Sequence, residues 1–130
     1  MAVYSHDYDG DVYDPAAPIV EIVVSHTSPG GLAETLSALV DSGADATMLP
    51  INILTRVGAR FLETRQMRGV TGHRLVVDTY LVTIRLGPHT LHGIQSVAMR
   101  EGIEAVVGRD VLNQLEVVLN GPANVVEIVA

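Results

Sequence analysis

From Ile19 onward, short apolar runs alternate with Gly/Pro-rich turns. IVEIVV (19–24) is a β-branched run with one charge, and SHTSPGG (25–31) is a turn cluster broken by Pro29-Gly30-Gly31. TLSALVD (35–41) is the next strand pattern, and with 19–24 it reads as a hairpin. LPINILTRVG (49–58) is a short helix-like piece, and RGVTG (68–72) is a glycine-bracketed turn. RLVVDTYLVTIRLG (74–87) is the longest strand pattern, with Val76, Tyr80, Val82, Ile84 and Leu86 on one face at period two. LHGIQSVAM (91–99) and EAVVG (104–108) read as strands. RDVLNQL (109–115) reads as a short helix with Val111, Leu112 and Leu115 on one face. EVVLN, the turn GPAN and VVEIV close the chain as a hairpin. Many short strands with turns every 8–12 residues describe an all-β domain. No low-complexity linker divides it, so residues 18–130 are expected to form one domain.

Residues 1–17, MAVYSHDYDGDVYDPAA, are acidic and lack clean periodicity, and are expected to form a flexible arm. Asp7, Asp9 and Asp11 are spaced like the first ligands of a calcium loop. The glycine does not follow the third aspartate, however, and the twelfth position is Pro18 rather than Glu. A solvated acidic tail accounts for the charges.

Composition narrows the function classes. The 130 residues are 48% hydrophobic but contain one Phe, four Tyr and no Trp, so the core is aliphatic, a bias toward strands. The net charge is −7, there is no lysine, and all eight basic residues are arginine. An acidic chain without a basic cluster argues against nucleic acid as a partner. With no cysteine there is neither a disulfide framework nor a thiolate metal site. Five histidines invite a metal site, but His89 and His92 fall between turn signals with no carboxylate cluster beside them, so surface histidines and no metal or other cofactor are expected. No basic start with an apolar stretch and no membrane-length apolar run occurs, so the expectation is a soluble, cytoplasmic protein with no membrane partner.

The stretch that carries chemistry is ALVDSGADATMLP (38–50). Alone, Asp-Ser-Gly is a common turn triplet. Here a strand precedes it, which puts Asp41 at the end of a rigid element. Gly43 permits a tight turn, and Ser42 offers a hydroxyl to tie the loop down. A second segment, AVVGRDVLNQL (105–115), runs from an apolar strand through one glycine into a helix. That glycine allows close backbone approach beneath the loop bearing Asp41.

These two segments, in this order and spacing, resemble the retropepsin-like aspartic proteases, the single-domain class of retroviruses and related cellular and bacterial proteins. The resemblance spans about residues 19–119. It implies a small closed barrel of the acid-protease half type with one short C-terminal helix, forming a twofold homodimer. It also implies an aspartic endopeptidase in which each subunit supplies one Asp41. Two carboxylates at such a site share a proton and titrate as a pair. One acts as base toward a water and the other as acid toward the scissile carbonyl of an extended peptide. Residue by residue, Asp41, Ser42 and Gly43 match the catalytic triplet. Ser42 would lock the two loops across the axis. Ala44, Asp45, Gly69, Val70, Thr71 and Val106 match substrate-binding positions, and MRGVTGHRL (67–75) resembles the flap. Arg109 resembles the arginine that braces the dimer base near Asp45. The chain departs from the pattern in Ser42, where Thr is commoner, in fewer flap glycines, and in the GPANVVEIVA extension. Two other readings remain at this point: a catalytically silent peptide-binding or dimerisation module on the same fold, and an unrelated β-barrel in which Asp-Ser-Gly is only a turn.

Overall fold

The computed structural model of the protein describes residues 3–69 and 71–130. Its framework is a barrel. β2 (Ile19–Ser25) and β3 (Ala33–Val40) form the expected hairpin, pairing from Ile19↔Leu39 to Ser25↔Ala33. β3 then runs parallel to β8 (Ala105–Val107), and β8 meets β4 (Met48–Pro50). β4 runs parallel to β7 (His89–Met99), which pairs with β6 (Arg74–Leu86). β6 returns to β2 through Val23↔Arg85 and its neighbours, so six strands close on themselves. Closure leaves these strands few free edges and encloses an aliphatic core.

The core follows the sequence alternation. Val20, Ile22 and Val24 on β2 are fully buried, as are Val82, Ile84 and Leu86 on β6. Each such side chain contributes roughly 1.5–3 kcal/mol on burial. Val76 lies on the same alternation yet is exposed, because β6 there has left the barrel. The projecting half of β6 pairs with β5 (Arg60–Arg68) out to Arg68↔Arg74, forming a long hairpin. Little of β5 is buried. Its sequence RFLETRQMR therefore carries no burial alternation, and the pattern of the chain gives no sign of this strand.

Two short helices complete the barrel. α1 (Ile51–Arg56) buries Ile53 and Leu54, and α2 (Arg109–Leu112) buries Val111. The chain end forms the expected hairpin, β9 (Val117–Asn120) with β10 (Val125–Val129). The N-terminal segment differs from the flexible arm expected of it. Val3–Asp7 form β1, which pairs with β10 along its whole length, giving a separate sheet in the order β1-β10-β9. Its alternation is weak and its partner lies at the other end of the chain, so no local signal marks it. The Asp9 carboxylate accepts the N–H groups of Asp11 and Val12, a local turn that accounts for part of the acidic spacing. His89, expected at the surface, is half-buried and donates from Nε2 to the Val129 carbonyl at 2.7 Å, tying the barrel to this second sheet.

Candidate active site

β3 ends at Val40, and the loop that follows is pinned from both sides. The Asp41 N–H continues the parallel ladder to the Val107 carbonyl at 3.1 Å, so the residue leaves the barrel from a fixed point. Its Oδ1 accepts the Gly43 N–H at 2.9 Å, and its carbonyl accepts the Ala44 N–H at 3.2 Å. This is a side-chain turn enclosing a backbone turn. A Cβ at position 43 would lie 3.0 Å from Asp41 Oδ1, so glycine gives the carboxylate its room.

The second segment supports the loop from beneath. A Cβ at Gly108 would fall 2.6 Å from both the carbonyl carbon and the oxygen of Ala46, and 2.9 Å from the Ala44 oxygen. The backbone contact anticipated from the sequence is therefore present, and only glycine fits it. The Arg109 N–H donates to the Ala44 carbonyl at 2.8 Å. Its guanidinium donates to the Ser42 carbonyl at 2.7 Å and to Asp45 Oδ1 at 2.6 Å. One side chain thus bridges both halves of the loop, a use of the rigid guanidinium fork that a lysine does not reproduce.

A polar cluster that the sequence reading did not single out lies under this arrangement. Thr47 is fully buried. Its N–H and hydroxyl donate to the Asp110 carboxylate, the hydroxyl at 2.8 Å, and its Oγ1 accepts the Gly108 N–H at 3.2 Å. Asp110 Oδ1 also accepts the Val111 N–H at the start of α2. The cluster satisfies buried groups and fixes the loop against the helix. The available sequence signal was a threonine and an aspartate each placed directly against an apolar element, which is too common to stand out.

Above the loop hangs the β5–β6 hairpin. At its tip the Gly69 N–H donates to the His73 carbonyl, and Gly72 sits at φ +82°. Between tip and loop lies a cavity of about 250 Å³. Asp41, Gly43, Ala44, Asp45 and Met48 line its floor, and Met67, Arg68, Gly69 and Leu75 line its roof. Asp41, Gly43, Ala44, Asp45 and Gly69 therefore meet at one site. Ser42 is exposed beside it, and Thr71 is exposed at the tip. Val70 lies outside the described residues. Val106 is not part of the described lining: it is buried on the face of β8 opposite Ala105 and Val107. Met48, Met67, Arg68 and Leu75 are lining residues that had not been singled out individually.

Two carboxylates reach this cavity, and they differ in kind. Asp45 is engaged by Arg109. Among the described residues, the Asp41 carboxylate accepts only a backbone N–H, that of Gly43.

Comparison with known proteins agrees with this geometry. The sequence model of one family, described as aspartyl protease, matches residues 27–111. No curated protein is significantly similar to the chain. Among solved structures, the chain is similar to a retropepsin-like aspartic protease from Rickettsia conorii (TM-score 0.61, 11% identity, covering 98% of this chain and 90% of that one). It is also similar to EIAV protease complexed with the inhibitor HBY-793 (TM-score 0.56, 20% identity, covering 75% and 86%). The chain belongs to the aspartyl protease family and carries the retropepsin-like fold.

Proposed function

We propose that the protein is an aspartic endopeptidase acting as a homodimer, with one Asp41 from each subunit. The observation that carries this reading is the single uncommitted carboxylate at a built site. Water-mediated peptide hydrolysis of this type takes two carboxyl groups, one to accept a proton and one to donate. The cavity offers Asp41 and Asp45, and Asp45 is occupied by Arg109. A second copy of Asp41 completes the pair.

In the reaction, the ionised member takes a proton from water as its oxygen attacks the scissile carbonyl carbon. The protonated member donates to the carbonyl oxygen. The tetrahedral species collapses as the amide nitrogen takes up a proton and the C–N bond breaks. The products are a carboxylic acid and an amine, and the pair again shares one proton. The peptide lies extended between hairpin and floor, where backbone groups give affinity and side-chain pockets give selection. Met48, Met67 and Leu75 favour apolar side chains beside the cut.

The test is digestion of a complex peptide mixture from about pH 4 to about pH 7.5, with Asp41→Asn alongside and new termini read by mass spectrometry. The expected result is cleavage that drops at least about 100-fold in the variant. Asparagine keeps the oxygen that accepts the Gly43 N–H, so folding is expected to be unchanged. Peptide binding with no cleavage at any pH would instead make the protein a binding module on this fold.

A further inference from the structure

The cavity beneath the hairpin does not end at Asp45. That residue also lines a second cavity, of about 330 Å³, so the two are contiguous there. Gly93, Ile94 and Gln95 of β7 line one part of the second cavity, and Asp110 and Gln114 line another. The hairpin contributes Arg65 of β5, the one cation among the described lining residues.

The hairpin register puts Arg65 on the face that roofs the first cavity. Met67 pairs with Leu75 and Arg65 with Val77. Directly paired residues share a face of the ladder, as do residues two apart on one strand. Arg65, Met67 and Leu75 therefore overlook one continuous cleft, apolar near Asp41 and charged beyond Asp45. The charges of the second cavity are not equivalent. Asp45 is paired with the Arg109 guanidinium. Asp110 accepts the Thr47 N–H and hydroxyl and the Val111 N–H. Among the described residues Arg109–Asp45 is the one ion pair, so Glu63, two residues back on the same face, does not neutralise Arg65. The Arg65 guanidinium is the charged group of this cavity without a partner among those residues.

We propose that Arg65 selects an acidic side chain of the peptide, at a position outside the two residues that flank the cut. An extended peptide rises about 3.3 Å per residue. With its scissile bond held over Asp41, it reaches the second cavity with a residue farther along the chain. A carboxylate there meets the guanidinium fork in a two-pronged, charge-assisted contact. A lysine or arginine of the peptide meets the repelling Arg65 and two carboxylates that already have partners. The substrate class is thus a peptide with apolar side chains at the cut and Asp or Glu beyond them. The inference deepens the protease reading above and rests on it.

The experiment varies one peptide cleaved in the digestion, placing Glu, Gln or Lys at each position outward from the cut, and measures kcat/KM for each. At one outer position wild type is expected to prefer Glu over Lys at least about tenfold, with the difference mainly in KM. R65E is expected to reverse that order, and R65K to keep it at reduced size. Each preference is a ratio within one variant, so a general loss of activity cancels. Should R65E fail to fold, R65Q, which removes the charge alone, is expected to bring the three peptides level. A wild type that cleaves but shows no acidic preference at any outer position overturns the Arg65 assignment and leaves the protease reading intact. A preference that persists unchanged in R65E or R65Q does the same. Where the peptide is bound without cleavage, the same ratios read from Kd decide the assignment by the same criteria. A wild type that neither cleaves nor binds peptide overturns both readings.

Discussion

Asp41 owes its position to residues that do no chemistry. Gly108 allows the backbone contact beneath the loop, and Thr47 satisfies the Gly108 N–H while joining Asp110. Gly108→Ala places a methyl group 2.6 Å from the Ala46 backbone, which side-chain rearrangement cannot relieve. It is expected to cost about 1–3 kcal/mol in urea unfolding. Thr47→Val preserves shape but strands the Gly108 N–H and removes a donor from Asp110; a loss of about 1–3 kcal/mol is expected in the same measurement. Both variants are expected to lower peptide cleavage as the loop loosens. The Arg109–Asp45 pair behaves differently. Both side chains are substantially exposed, so solvent screens the pair and its contribution to stability is small. Its effect lies in occupying Asp45 and anchoring the Ser42 carbonyl.

Among the elements, the hairpin of β5 and β6 is held mainly by its own ladder, because most of its projecting part is exposed. Such a segment opens independently of the barrel. Gly72 sits at φ +82° with nothing among the described residues within 4 Å of an added Cβ, so Gly72→Ala meets backbone strain without a clash against them. The strain is about 1–2 kcal/mol. Hydrogen exchange is expected to quicken across residues 60–78 while the melting temperature of the barrel barely moves. Peptide cleavage is expected to fall several-fold, since the roof of the cavity comes from this hairpin. A variant that melts earlier with unchanged exchange in the hairpin would show that the tip is integral to the barrel.

For the molecule as a whole, the N-terminal segment is structural. β1 pairs with β10, and Asp9 bridges to Ala17. Tyr13 packs near Glu104, just ahead of β8. Desolvation first, then the Glu104 charge and a hydrogen bond to Glu104, then the Asp9 charge, raise the Tyr13 phenol above its ordinary 10.0. A phenol raised in the folded state binds its proton more tightly there than in the unfolded chain. Its contribution to stability is therefore complete below the ordinary value and lost as pH rises through the folded value. Denaturant titrations above pH 10 are expected to show wild type losing more stability with pH than Tyr13→Phe. Equal slopes would mean that the contact does not persist in solution.

The sequence by itself determined β2, β3, β6, β7 and β8 of the barrel and the loop bearing Asp41, because burial writes a period-two pattern and tight backbone contacts demand glycine. Val82, Ile84 and Leu86 were legible from alternation, Asp41 and Gly43 from a local motif, and Arg109 from the family resemblance. Only the tertiary structure decided the rest. β1 is fixed by a partner more than a hundred residues away, and β5 by pairing alone, since neither buries a continuous apolar face. Val106 faces away from the barrel interior because strand alternation gave that interior to Ala105 and Val107. Thr47 and Asp110 met because barrel closure brings the start of β4 against α2, and no spacing along the chain encodes that distance.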